Sequence, residues 1–168
     1  TGCGMAEISP ARTAAFRILS RLHEKPDDQT PLPALLEESG KTLSLRDAAL
    51  AAEIIYGVLR KEARLFAALR PFLARPEGLP PRLRLILAMA AFELAELHGI
   101  PARATLDQAV ELARKTFGRG LSGLVNAVLR NACRAGAFVP SQNALAKSGR
   151  RNADQDADIA LSGSLPLW

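Results

Sequence analysis

The stretch Leu121-Ser-Gly-Leu-Val-Asn-Ala-Val-Leu-Arg-Asn-Ala-Cys-Arg134 decides the fold. Its apolar residues Leu121, Leu124, Val125, Val128, Leu129 and Ala132 recur at spacings of three and four, so a helix gathers them on one broad face. That face must be buried against other helices. Ser122, Asn126, Arg130 and Arg134 recur every four residues and form a polar stripe beside it. The stripe ends in two guanidinium groups near the helix C-terminus, where the helix dipole favours positive charge. Gly136 is placed to stop the helix.

The chain before this stretch carries the same kind of pattern. Ser9 and Pro10 read as an N-cap and first helical residue, and Ala11, Ala14, Ala15, Ile18, Leu19 and Leu22 keep helical spacing to about Glu24. Thr30 with Pro31 opens a short helix through Leu32, Leu35 and Leu36, with Pro33 tolerated in its first turn and Gly40 at its end. Ser44 and Asp47 have capping-box spacing and start a long helix with Ala48, Ala52, Ile55 and Leu59 as its core stripe. Gly57 inside it costs about 1 kcal/mol against Ala, so another backbone is expected close by. Arg60, Lys61 and Arg64 crowd the junction that follows. Leu65, Leu69, Phe72 and Leu73 then continue a helical pattern that Pro71 kinks or divides.

After a rigid loop over Pro76 to Pro81, Leu83, Ile86, Leu87, Ala90, Leu94 and Leu97 make a helix apolar on most of its surface, hence central and buried. Gly99-Ile-Pro101 closes it. Thr105 and Gln108 again have capping-box spacing, ahead of Leu106, Ala109, Val110, Ala113 and Phe117, with Gly118 as the stop. The expected fold is all-α: a compact bundle of about seven helices over residues 5–136, followed by a polar linker. A chain of 168 residues with 48% hydrophobic but 5% aromatic content, mostly Ala and Leu, suits such a bundle. Residues 137–158 have linker composition, and 159–168, Ile-Ala-Leu-Ser-Gly-Ser-Leu-Pro-Leu-Trp, turn apolar again as if a further domain begins there. Thr1 to Gly4 precede Met5 and stand outside the fold argument.

Net charge is +5, and among the 22 basic residues only Lys25, Lys41, Lys61, Lys115 and Lys147 are lysine. An arginine-heavy balance raises the expectation of a nucleic-acid partner, although a solvated basic face explains charge alone equally well. Cys3, Cys133, His23 and His98 have no metal-ligand spacing and form no disulfide framework, which fits a reducing, cytoplasmic setting. The longest apolar run, 85–92, is far too short for a membrane span. Cys133 reads as a packing residue, His23 and His98 as helix-end histidines, Asn126 as a half-buried structural amide, and Tyr56 and Phe66 as packing aromatics.

Several motifs in order resemble the NusB-like amino-terminal domain of ribosomal RNA cytosine-5 methyltransferases of the RsmB (Sun) type. They are Ala11 to Ala15, Tyr56-Gly-Val-Leu-Arg60, Leu85-Ile-Leu87 with Phe92-Glu-Leu94, Ile100-Pro-Ala102, Ala109-Val-Glu-Leu-Ala113 and Val125-Asn-Ala-Val-Leu-Arg130. Ser164-Leu-Pro-Leu-Trp168 is similar to the Ser-x-Pro-x-Trp that opens the methyltransferase part of that family. The resemblance implies a compact helical domain that holds structured RNA, ribosomal RNA above all, for a covalently linked catalytic domain. S-adenosylmethionine and an attacking cysteine are implied for that further domain. This chain has no Pro-Cys motif and no strand-loop-helix glycine-rich stretch, so no catalytic, cofactor-binding or metal residue is assigned in it.

Charge points to Arg60, Lys61, Arg64, Arg130 and Arg134 as phosphate contacts. The resemblance adds Arg12 and Arg17, because the first helix of NusB relatives carries RNA-binding arginines near its start. Two other readings stay open: a free-standing transcription antitermination factor binding RNA with a ribosomal protein, and a helical protein-interaction or homodimerisation module with no RNA role.

Overall fold

A computed structural model describes residues 7–138; the linker expected from 139 onward and the segment 159–168 lie outside the described residues. The elements are α1 (Pro10–Glu24), α2 (Leu32–Gly40), α3 (Leu45–Leu69), α4 (Pro81–Glu96), α5 (Ala102–Phe117) and α6 (Arg119–Arg134). Short 3-10 turns at Arg70–Phe72 and Pro76–Gly78 join α3 to α4. There is no strand among the described residues, so the all-α bundle is as expected, with six α-helices where about seven segments were read. The difference lies in α3. Arg60, Lys61 and Arg64 sit on one uninterrupted helix rather than at a junction, and the break falls at Leu69, where Pro71 enters a 3-10 turn.

α4 is the centre. Its run from Leu85 to Glu93 is buried throughout, and α1, α3, α5 and α6 all pack on it. A helix apolar all round is stable only in such a position, each fully buried Leu or Ile contributing about 1.5–3 kcal/mol. α1 takes its place through the expected cap, the Ser9 hydroxyl accepting from Arg12 N, and through buried Ala11, Ala14, Ala15, Ile18 and Leu19. On α6, Val125, Val128, Leu129 and Ala132 are buried, as their spacing implied, while Leu121 and Leu124 are half-buried. Ala137 and Phe138 still pack on the core beyond Gly136.

Side chains on α3 and α6 depart from the expected arrangement at three places. The core stripe of α3 is Ala51, Ile54, Ile55 and Val58, with Leu59 39% exposed and Ala48 and Ala52 only half-buried. Residues 48–59 are apolar over so wide an arc that spacing alone leaves the rotation open; packing on α4 sets it. Gly57 faces not a backbone but the ring of Phe92, whose Cε2 and Cζ atoms would overlap any added Cβ. Ser122 is buried, its hydroxyl donating to the Arg119 carbonyl at 2.8 Å, so the polar stripe of α6 begins at Asn126.

Neither Thr30 nor Thr105 caps a helix. Thr30 instead closes a turn with Asp28, its Oγ1 donating to Oδ1 at 2.6 Å, and α2 begins behind Pro31. α5 starts at Ala102, so Thr105 lies inside its first turns, and Thr105 and Gln108 bond to other elements. α5 and α6 meet at the single residue Gly118, whose φ of 88° a side-chain-bearing residue rarely adopts.

Candidate nucleic-acid interface

The sequence-derived arginines divide into one that is inside the bundle and several that are outside. Arg12 leaves the first turn of α1 and reaches α4, where its Nε donates to both oxygens of Glu93 at 3.0 and 3.1 Å and Nη2 to Oε2 at 2.5 Å. Its Nη1 donates to Ser9 Oγ at 3.1 Å, and Thr105 Oγ1 donates to the same carboxylate at 3.2 Å. The Arg12 and Glu93 side chains are 11% and 2% exposed. Gln108 locks the seam from α5, accepting from Ser9 N at 2.7 Å and donating to the Glu7 carbonyl at 2.8 Å. A carboxylate buried on an apolar helix must be paired, and Arg12 pairs it. Its charge is neutralised between α1, α4 and α5, so the phosphate-contacting role expected for Arg12 does not match where the side chain sits.

Arg17 is exposed on α1, in a hollow it shares with Phe16, Lys25 and Arg82. The other arginines there have partners: Arg82 Nη2 donates to Glu24 Oε2 at 3.1 Å and Arg21 Nε to Asp28 Oδ2 at 2.8 Å. The Arg82 contact holds the Glu24 carboxyl below its ordinary range, and Glu24 in turn raises Arg82. Bonds from Thr30 and then Arg21 bring Asp28 down to about 2.

On α3, Arg60 and Arg64 are exposed and, among the described residues, enter no ion pair. Lys61 between them donates to Glu96 Oε1 at 2.7 Å and is half-buried, which takes up much of its charge. Arg60 lines a hollow with Leu59, Glu62, Ala63, Phe66 and Arg84. The Arg84 guanidinium lies 4.1 Å from the centroid of the Phe66 ring, a cation–π contact. Sequence reading passed over Arg84. The only available signal was its place on the flank of the Leu83, Ile86, Leu87 stripe.

α5 and α6 run antiparallel, bringing the start of one beside the end of the other. Arg130 and Arg134 therefore share a hollow with Arg103, Asp107 and Cys133. Arg130 Nε donates to Asn126 Oδ1 at 2.9 Å, so this amide orients a guanidinium. Arg103, also missed, stands 3.9 Å from Asp107 at 93% side-chain exposure, too loose and too wet a pair to quench its charge. Burial raises the Cys133 thiol, which keeps it a neutral packing group. Among the described residues no group of three His, Cys, Asp or Glu side chains is placed to hold a metal, and no helix is long and apolar enough to cross a membrane.

What these elements define is an all-helical domain whose outward-facing arginines gather in shallow surface hollows. The chain belongs to the NusB family, which it matches over residues 9–134. It is 48% identical over 85 residues to the ribosomal RNA small subunit methyltransferase B of Thermus thermophilus, covering 51% of this chain and 21% of that protein. Over 126 residues it is 34% identical to the probable ribosomal RNA small subunit methyltransferase B of Bacillus subtilis, 75% of this chain and 26% of that protein. It is also 34% identical over 140 residues to the transcription antitermination protein NusB of Laribacter hongkongensis, 80% of this chain and 82% of that protein. The chain thus spans about a quarter or less of the methyltransferases it matches.

Proposed function

We propose that this chain is the RNA-binding, substrate-positioning domain of an S-adenosylmethionine-dependent ribosomal RNA cytosine-C5 methyltransferase, without catalytic residues of its own. The observation that carries this reading is the similarity to a probable ribosomal RNA small subunit methyltransferase B over three-quarters of the chain but a quarter of that protein, joined to the Ser164-Leu-Pro-Leu-Trp168 sequence beyond the family match. Exposed Arg17, Arg60, Arg64, Arg130 and Arg134 contact RNA phosphates and orient the target. The linked domain holds the cofactor and the attacking cysteine.

On this reading S-adenosylmethionine belongs in the linked domain and not on residues 7–138. The described residues form no strand-to-helix glycine turn, and the positive charge of the arginine-lined hollows opposes a sulfonium. A free-standing antitermination factor is the second reading, favoured by the 82% coverage of the Laribacter protein. The reading frame beyond the Trp168 codon separates the two. A methyltransferase continues for about 250 residues of alternating strands and helices with a Pro-Cys motif. A stop within a few codons overturns that reading in favour of antitermination.

A further inference from the structure

We infer that the hollow between α3 and α4 takes one unpaired guanine nucleotide of a single-stranded RNA, with Glu62 reading the base; this rests on the RNA-binding reading above. The hollow combines surfaces that a purely electrostatic contact does not need. The Arg84 guanidinium lies over the Phe66 ring, 4.1 Å from its centroid, and both residues are half-buried, so a guanidinium and a ring stand together at the edge of the hollow. Unpaired bases stack on such groups. Leu59 lines the same hollow at 39% exposure, and Tyr56, one turn earlier on α3, is 42% exposed. With Leu45 these are the exposed large apolar side chains among the described residues. A protein partner of ordinary size needs roughly 800 Å² of surface per side, more than two part-exposed apolar side chains offer. Arg60 at the rim supplies the charge for its phosphate.

Glu62 is the one carboxylate lining the hollow, and it repels phosphate, so it selects what can lie there. Its Oε1 stands 3.4 Å from His23 Nε2, while His23 Nδ1 faces the Leu19 carbonyl at 3.0 Å. A carbonyl only accepts, so Nδ1 donates to it, and whether or not Nε2 also donates, His23 engages at most one of the several lone-pair sites of the carboxylate. The carboxylate keeps its acceptor capacity for a ligand. An ionised carboxylate can only accept, and guanine alone presents two adjacent donors, N1–H and the N2 amino group, on its Watson–Crick edge. Adenine and cytosine set one amino donor beside a ring-nitrogen acceptor, and the single N–H of uracil lies between two carbonyls.

Fluorescence anisotropy with the whole 168-residue chain and fluorescein-labelled oligouridines carrying one central G, A, C or inosine tests this. The G oligonucleotide is expected to bind roughly tenfold more tightly than the A and C versions, with inosine, which lacks the amino group, in between. Glu62→Gln, a near-isosteric change at a part-exposed site, abolishes the preference and leaves the A oligonucleotide bound at least as well. Arg84→Ala weakens all four. Binding indifferent to the central base, or a preference for G that survives Glu62→Gln, overturns the guanine site while leaving RNA binding intact. No binding of any oligonucleotide or ribosomal RNA fragment overturns both readings and gives the hollow to a protein partner.

Discussion

Arg12 and Arg130 are the same side chain with opposite fates, and what separates them is the distance to a carboxylate. In the seam of α1, α4 and α5, Glu93 is buried and accepts three bonds from Arg12, which ties the charge into the core. On the outer ends of α5 and α6, Arg130 finds only the neutral Asn126 amide, so its charge is oriented without being cancelled. An arginine of the first kind holds helices together; one of the second kind is available to phosphate. Basic residues in this domain therefore have to be sorted by partner before they are sorted by exposure.

The largest expected effect comes from breaking the inner pair. Arg12→Ala leaves the Glu93 carboxylate buried without its cation and should cost about 3–5 kcal/mol in urea unfolding. RNA affinity per folded molecule should stay unchanged. A variant of unaltered stability that loses RNA affinity would erase the distinction between the two kinds of arginine. Next in size is Gly57→Ala, which drives a methyl group into the Phe92 ring. Overpacking costs about 1–3 kcal/mol, offset by about 1 kcal/mol of helix propensity, so a net loss of up to about 2 kcal/mol should appear as a lowered Tm.

The smallest effect belongs to the exposed pair of Arg21 and Asp28. Asp28 is held at about 2 against an ordinary 3.8, so its folded pKa is the lower one. Its stabilising contribution is present above pH 3.8 and disappears as pH falls toward 2. Asp28→Asn should lower Tm slightly at neutral pH, and the difference from the unaltered protein should close by about pH 2. A difference that persists there would mean that the turn, and not the charge, is at work.

The parts of the fold written in local spacing were legible. The buried face of α6, the Ser9 cap of α1 and the all-round apolar α4 all depend on residues three or four apart. What was not legible depends on partners far along the chain. Thr105 and Gln108 have the spacing of a capping box, but their bonds go to Glu93, Ser9 and Glu7. Arg12 resembles a surface arginine until Glu93, 81 positions away, is brought beside it. Arg84 and Arg103 drew no notice for the same reason, since the Phe66 ring and the Arg130 pair that give them meaning belong to other helices. The rotation of α3 was hidden by the opposite problem, apolar residues on too many of its sides.

If arginines lacking a carboxylate partner are those that meet RNA phosphates, binding to a ribosomal RNA fragment depends steeply on salt. Roughly four single-strand contacts give a log–log slope near −3. Replacing Arg130 and Arg134 together by Ala should lower affinity and flatten the slope by about one to one and a half units, with helical circular dichroism unchanged because both side chains are exposed. A folded double variant that keeps both its affinity and its slope would contradict that assignment.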